Sequence, residues 1–128
     1  MDQGFLSAKR LAARIRRGDI GCLEALDHAI ARVERLDGAL NAIVVHDFDR
    51  ARKRARTLDR KKPEKPGPLY GVPATIKESF DIEGLPTTWG IPALRDHRAD
   101  SNSLAVERLQ AAGAVKSWRA FVPPPGYA

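Results

Sequence analysis

Cysteine is nearly absent: a single Cys22 in 128 residues excludes an intrachain disulfide framework and a cysteine-built metal cluster, and makes a reducing compartment the default. Long apolar runs are missing too. No stretch approaches the length of a membrane span, about 18 residues, and the opening residues, MDQGFLSAKR, put acid and glycine where a signal peptide needs an apolar segment. The expectation is a soluble, cytoplasmic protein. Histidines are few, and His28, His46 and His97 have neither ligand spacing nor an acidic cluster, so no metal site is expected. What is present suffices for folding: hydrophobic residues make up 43% and charged residues 30%, a balance that supports a buried core and lies outside compositional disorder. Length as a prior indicates one small domain.

The net charge of +6 is local. Nine basic residues between Arg50 and Lys65, against Asp59 and Glu64, give that segment +7 and leave the other 112 residues at −1. Clustered cations bind phosphates with a strong salt dependence. Here, however, no aromatic side chain is interleaved for base stacking and no nucleic-acid motif accompanies the cluster. A solvated helix face is the favoured reading, with nucleic-acid binding through 50–65 kept as an alternative.

Apolar residues set the order of elements. Phe5, Ala8, Leu11, Ala12 and Ile15 recur at helical spacing, with Gly18 as a stop. Leu23, Leu26, Ile30 and Val33 form the stripe of a second helix that ends at Asp37-Gly38, and Gly21 with Glu24 offers only half of a capping box. Ala42 to Val45 reads as a short buried strand. Asp49 to Lys62, without Gly or Pro, should be a surface helix whose small apolar face is Ala51, Ala55 and Leu58; Pro63, Pro66, Gly67 and Pro68 break it. Val72, Ala74 and Ile76 alternate with Pro73, Thr75 and Lys77 as a strand, with Lys77 on the face opposite Val72 and Ile76. Gly84, Pro86 and Gly90 mark loop. A last helix is expected over about Ser101–Ala112, with Leu104, Val106 and Leu109 apolar and Gly113 as stop, leading into a strand at Ala114-Val115. The order indicates an α/β fold. The final thirteen residues, KSWRAFVPPPGYA, break this pattern and read as a proline-rich tail, so the expected division is 1–115 and 116–128.

Lys77 is the first candidate for chemistry. A lysine in water has a pKa of about 10.4 and is no base near neutrality, but burial disfavours the charged form. A lysine at the end of a buried strand, beside glycine-rich loops, is therefore a candidate base. Gly67 to Gly90, GPLYGVPATIKESFDIEGLPTTWG, resembles the first signature block of the amidase signature family, a GPL-x-GVP-x-x-IK-D core followed by an x-GLPTT-x-G loop. The two leading helices, the Leu40-Asn41-Ala42 step and RLQAAGAV at Arg108 to Val115 fall in the order of that family's amino-terminal region, so the resemblance covers about residues 5 to 115.

The resemblance implies the amino-terminal part of an amidase-signature fold: a helical layer plus a few strands of a mixed sheet, with uncovered edges open to self-association. It also implies hydrolysis of a carboxamide C–N bond to carboxylate and ammonia by a Ser-cisSer-Lys triad, without cofactor or metal, on a small-molecule amide. In that triad the lysine deprotonates a bridging serine, which activates the nucleophilic serine; Lys77 matches the lysine. Thr87, Thr88, Trp89 and Gly90 resemble the loop lining the substrate side of the cleft, where Trp89 would meet an aromatic or apolar acyl group or else cover a core edge. The family's serines lie in a Gly/Ser-rich segment for which the 128 residues have no counterpart. Ser79, two residues from Lys77, is not where the family places its nucleophile. The expectation is thus a chain cut short before its nucleophile by a frameshift or premature stop, inactive alone and unstable or aggregating. A non-catalytic interaction fragment is a further alternative. Cys22, near a helix start, is a candidate for a lowered thiol pKa, with an inert packed residue as the stronger reading, and His28 reads as a packed surface residue.

Overall fold

The computed structural model describes residues 3–120. Four helices, α1 (Ala8–Arg17), α2 (Cys22–Leu36), α3 (Phe48–Arg60) and α4 (Leu104–Ala111), accompany three strands, β1 (Ile43–His46), β2 (Pro73–Lys77) and β3 (Val115–Ala120). The strand order is β1-β3-β2, with β3 antiparallel to β1 and parallel to β2. A parallel pair requires a crossover, and the segment after β2 together with α4 provides it.

The helix ends follow local chemistry. Ser7 caps α1 by accepting the Arg10 N–H, and Gly18 closes it in the left-handed conformation, φ 83°. The Gly21 position has no side chain to cap α2. Glu24 accepts the Gly21 N–H at 3.4 Å, and the missing cap comes from α3: Asp59 accepts the Cys22 and Leu23 N–H groups at 2.7 and 3.0 Å. A carboxylate on a helix N-terminus answers both its orphan donors and its dipole, a contribution of about 1 kcal/mol. α4 begins at Leu104, three residues after the expected start, because Ser103 is its cap.

The main core lies among α1, α2, α3 and the start of β3, built on Ile15, Leu26, Ile30, Ala55, Leu58, Tyr70 and Val115. Alanines on α3 let that helix approach closely, as its sequence anticipates. Gly71, at φ 75°, fits where a Cβ would stand 2.7 Å from Cys22 Sγ and 2.9 Å from Ile15 Cγ2. A smaller cluster of Ile76, Ile82, Leu85 and Val106 lies under the loop after β2.

Several expectations change. Phe5 is outside α1, in a 3-10 turn at Gln3–Phe5, and is 78% exposed with Arg32 stacked 5.5 Å from its ring centroid. Leu104 is also exposed; as the first residue of α4 it precedes the turn that faces the core. β1 is an edge strand with alternating half-buried and exposed residues, not a buried one. Most informative is the carboxyl end. Residues 116–120, expected to belong to the tail, complete the central strand: Lys116 pairs with Ala74, Trp118 with Thr75 and His46, and Ala120 with Lys77 and Ile43. Backbone pairing on both sides decides this, and Lys-Ser-Trp-Arg has no apolar run to announce it. The proline-rich remainder, 121–128, lies outside the described residues.

Candidate active site

β2 and β3 run parallel, and Lys77 is the last residue of β2, at the carboxyl end of the pair. That end is where open α/β sheets place their ligand sites. Lys77 and its neighbours alternate as a strand should: Ile76 is buried, Lys77 exposed, Glu78 buried. The strand then stops, with Phe80 N–H donating to Lys77 O at 3.1 Å, so Ser79 sits in a turn and not on an extension of the lysine's face. The burial expected around Lys77 is not found among the described residues: at the strand end, on the face away from Ile76, the side chain is exposed.

The loop after β2 is organised by short pairings. Gly84 and Thr87 N–H groups donate to Ala99 O and His97 O, Ala99 N–H donates back to Leu85 O, and Pro86 bridges to Arg98. Ser103 N–H donates to Asp81 O, and Asn102 accepts the Glu83 N–H. These ties bring Thr87, Thr88, Trp89 and Gly90 back to Glu78. That residue is 3% exposed, and its carboxylate accepts the Thr88 N–H through Oε1 and the Trp89 N–H through Oε2, the latter at 2.9 Å. Sequence reasoning did not single out Glu78. The available signal was an acid directly after Lys77 where the family pattern also has one.

The four loop residues differ in environment. Thr87 is buried, and its hydroxyl has no hydrogen-bond partner among the described residues. Thr88 Oγ1 accepts the Gly90 N–H at 3.3 Å. Trp89 is 61% exposed with φ 54°, so its indole does not cover a core edge.

The remaining candidates fall elsewhere. Cys22 is fully buried, and its thiol is pushed up to about 12, first by burial and then by hydrogen bonding to and the charge of Asp59. The same carboxylate that caps α2 thus makes the thiol inert. Tyr70 is raised to about 12, first by burial and then by Cys22; its hydroxyl donates to Leu58 O at 2.7 Å. A groove of about 490 Å3 runs beside α1, α2 and β1, reaching Val72, Pro73 and Thr75. It opens toward the start of β2, and none of Lys77, Glu78 and Thr87 to Gly90 lines it. Among the described residues no three His, Cys, Asp or Glu side chains gather as a metal site, and no helix is long and apolar enough to cross a membrane.

With the lysine at the strand end and the GLPTTWG loop tied to its neighbour, the comparison with known proteins is direct. The family profile described as Amidase matches residues 24–123. The chain belongs to the amidase family. It is 36% identical over 125 residues to the acylamidase of Rhodococcus erythropolis, covering 96% of this chain and 26% of that protein. It is 39% identical over 111 residues to the indoleacetamide hydrolase of Bradyrhizobium diazoefficiens, covering 85% and 21%. Among solved structures, a bacterial aryl acylamidase of the amidase signature enzymes family superposes with a TM-score of 0.83 at 28% identity, covering 93% of this chain and 26% of that one. The fold is therefore that of the amino-terminal portion of amidase-signature enzymes, and the chain spans about a quarter of the length of the relatives it matches.

Proposed function

We propose that this chain carries the proton-accepting half of an amide-hydrolysing site, with Lys77 as the base. The observation that supports it most is the placement of Lys77 at the carboxyl end of β2, next to the residue that anchors the Thr87–Gly90 loop, in a chain of the amidase family. In this reading the Lys77 amine takes a proton from a bridging serine. The bridging serine takes the proton of a second serine, whose Oγ attacks the amide carbon. The C–N bond breaks as the proton returns to the leaving nitrogen, and ammonia departs from an acyl-enzyme that water then hydrolyses to the carboxylate. Backbone N–H groups stabilise the tetrahedral oxyanion. No step needs a metal or an organic cofactor.

The reading assigns both serines to a Gly/Ser-rich segment, and the 128 residues contain none, so the chain alone is silent. Its substrate is a small-molecule amide, met at Thr87 to Gly90. Its family portion runs on past residue 115 through β3, its location is the cytoplasm, nucleic acid has no part in it, and the edges of β1 and β2 are where copies would associate. The test is a chimera in which residues 5–115 replace the aligned segment of the Rhodococcus acylamidase. We expect ammonia release from simple amides by the chimera, a loss of at least about 1,000-fold with Lys77→Ala, a size conventional for removing an acid-base group, and no turnover by the isolated chain. A folded chimera that keeps its rate with Lys77→Ala refutes the assignment.

A further inference from the structure

We propose that Glu78 is a positioning residue, whose buried carboxylate clamps the Thr88–Gly90 turn and thereby holds the Trp89 indole outward as an apolar wall for the acyl group of the amide substrate. The clamp stands on geometry alone; the identity of what the indole touches rests on the amidase reading above.

Positive φ is uncommon outside glycine. Among the described non-glycine residues only Asn41 and Trp89 adopt it, at 50° and 54°. Asparagine tolerates the left-handed region because its short side chain bonds locally. Tryptophan has no such excuse, and for a bulky residue the penalty depopulates the conformation roughly tenfold or more unless the surroundings enforce it. Gly90 follows at φ 70°, so two successive residues are left-handed.

Glu78 is what enforces it. The Thr88 and Trp89 N–H groups converge on the two oxygens of one carboxylate, the nest arrangement by which consecutive backbone donors hold an anion. Each oxygen takes a different donor, so the two successive residues are tied to one side chain. Ile91 N–H donates to Thr88 O at 2.8 Å and closes the turn on its far side. The result is an indole left 61% exposed. A costly backbone that leaves its side chain mostly exposed is accounted for by neither propensity nor packing. It is what a contact surface for a ligand requires, and strain of this kind collects at such sites. The residue that carries the clamp also follows Lys77 directly, so one strand end fixes the lysine's backbone and the wall together.

Amide hydrogen exchange tests the clamp without turnover. In Glu78→Gln we expect exchange at Thr88 and Trp89 to rise at least tenfold, while the Val115 amide, bonded to Val72 O at 2.9 Å, keeps its protection. In a Trp89→Gly background the same substitution should have an effect about tenfold smaller, because glycine needs no clamp. Unchanged protection at 88 and 89, or an equal effect with glycine at 89, overturns the proposal. Should Val115 lose protection as well, Glu78→Asp is the second variant: it keeps the carboxyl group on a shorter stem and is expected to lose protection at one of the two amides and retain the other. Protection kept at both, or lost at both, overturns the clamp. The wall is read separately, by Trp89 fluorescence in Trp118→Phe with phenylacetamide and acetamide as probes. Phenylacetamide should quench or shift the emission several-fold more than acetamide, and Glu78→Gln should erase the difference. Equal responses to the two amides overturn the wall even where the clamp holds. Absence of amide hydrolysis in the chimera counts against Lys77 chemistry and leaves the exchange result standing.

Discussion

Around Leu26 and Ile30, eleven buried side chains from α1, α2, the turn between them, α3, β3 and the Tyr70 turn pack into one cluster, whereas the segment between β2 and α4 closes over four, Ile76, Ile82, Leu85 and Val106. The first region is held by apolar burial, at roughly 1.5–3 kcal/mol per large side chain. The second depends on backbone bonds to single polar groups, Glu78 and Asn102 among them, each with a net value of about 0.5–1.5 kcal/mol, more where the acceptor is charged. Its opening is therefore the cheaper event, and the candidate active site lies on that side. The helical half is scaffold, and the loop half is the part that can yield to a ligand.

Truncation of the core separates the two most strongly. Leu26 is fully buried at the centre of the larger cluster, and Leu26→Ala should lower stability by about 3 kcal/mol, within the 2–5 kcal/mol usual for such cavities. Leu85→Ala, at the margin of the smaller cluster and 9% exposed, should cost less than half as much. Urea unfolding measures both; equal losses would mean that the halves form one cooperative core and that the contrast is false.

A pH-dependent effect falls on the helical half alone. Cys22 and Tyr70 keep their protons up to about 12 in the folded chain, against 9.0 and 10.0 ordinarily. Above pH 9 the unfolded chain releases these protons first, so it binds fewer than the native state and stability falls as pH rises. The slope is at most about 1.4 kcal/mol per pH unit for each group, and it ends near pH 12. Denaturation series from pH 8 to 11 should show the midpoint sliding down, and Cys22→Ala should remove the part of that slope that begins near pH 9. A slope unaffected by Cys22→Ala would place the titrating groups outside the core.

The same contrast governs what could be read from residues alone. The face of α3 was legible because Ala51, Ala55 and Leu58 repeat along one helix, and the stop of α1 because Gly18 is the residue a left-handed cap wants. The cap of α2 was not, since Asp59 stands 36 and 37 residues beyond the groups it satisfies. Likewise β3 was legible only to Val115: its next residues carry no apolar alternation, and their strand is fixed by partners on both sides. In the candidate site, Lys77 and the Thr87–Gly90 loop stood out through a contiguous motif. Glu78 did not, because its role is a pair of bonds to residues ten and eleven positions on. Periodic burial is written locally, and polar tethering is not.

The finest discrimination lies in Thr87. Its hydroxyl is buried and lacks a partner among the described residues, a situation that costs about 1–3 kcal/mol when nothing answers the group. Valine has nearly the same shape without the hydroxyl. If the loop half is as sparsely bonded as the contrast holds, Thr87→Val leaves stability unchanged or raises it by up to about 1 kcal/mol, readable as a small upward shift in the thermal midpoint. A loss would mean that the hydroxyl is already answered in solution by an ordered water, which makes about three hydrogen bonds in such sites and is costly to remove. In that case the region beside Lys77 is held by a wetter and stronger polar network than its four apolar side chains suggest, and the cheap opening assigned to it would have to be given up.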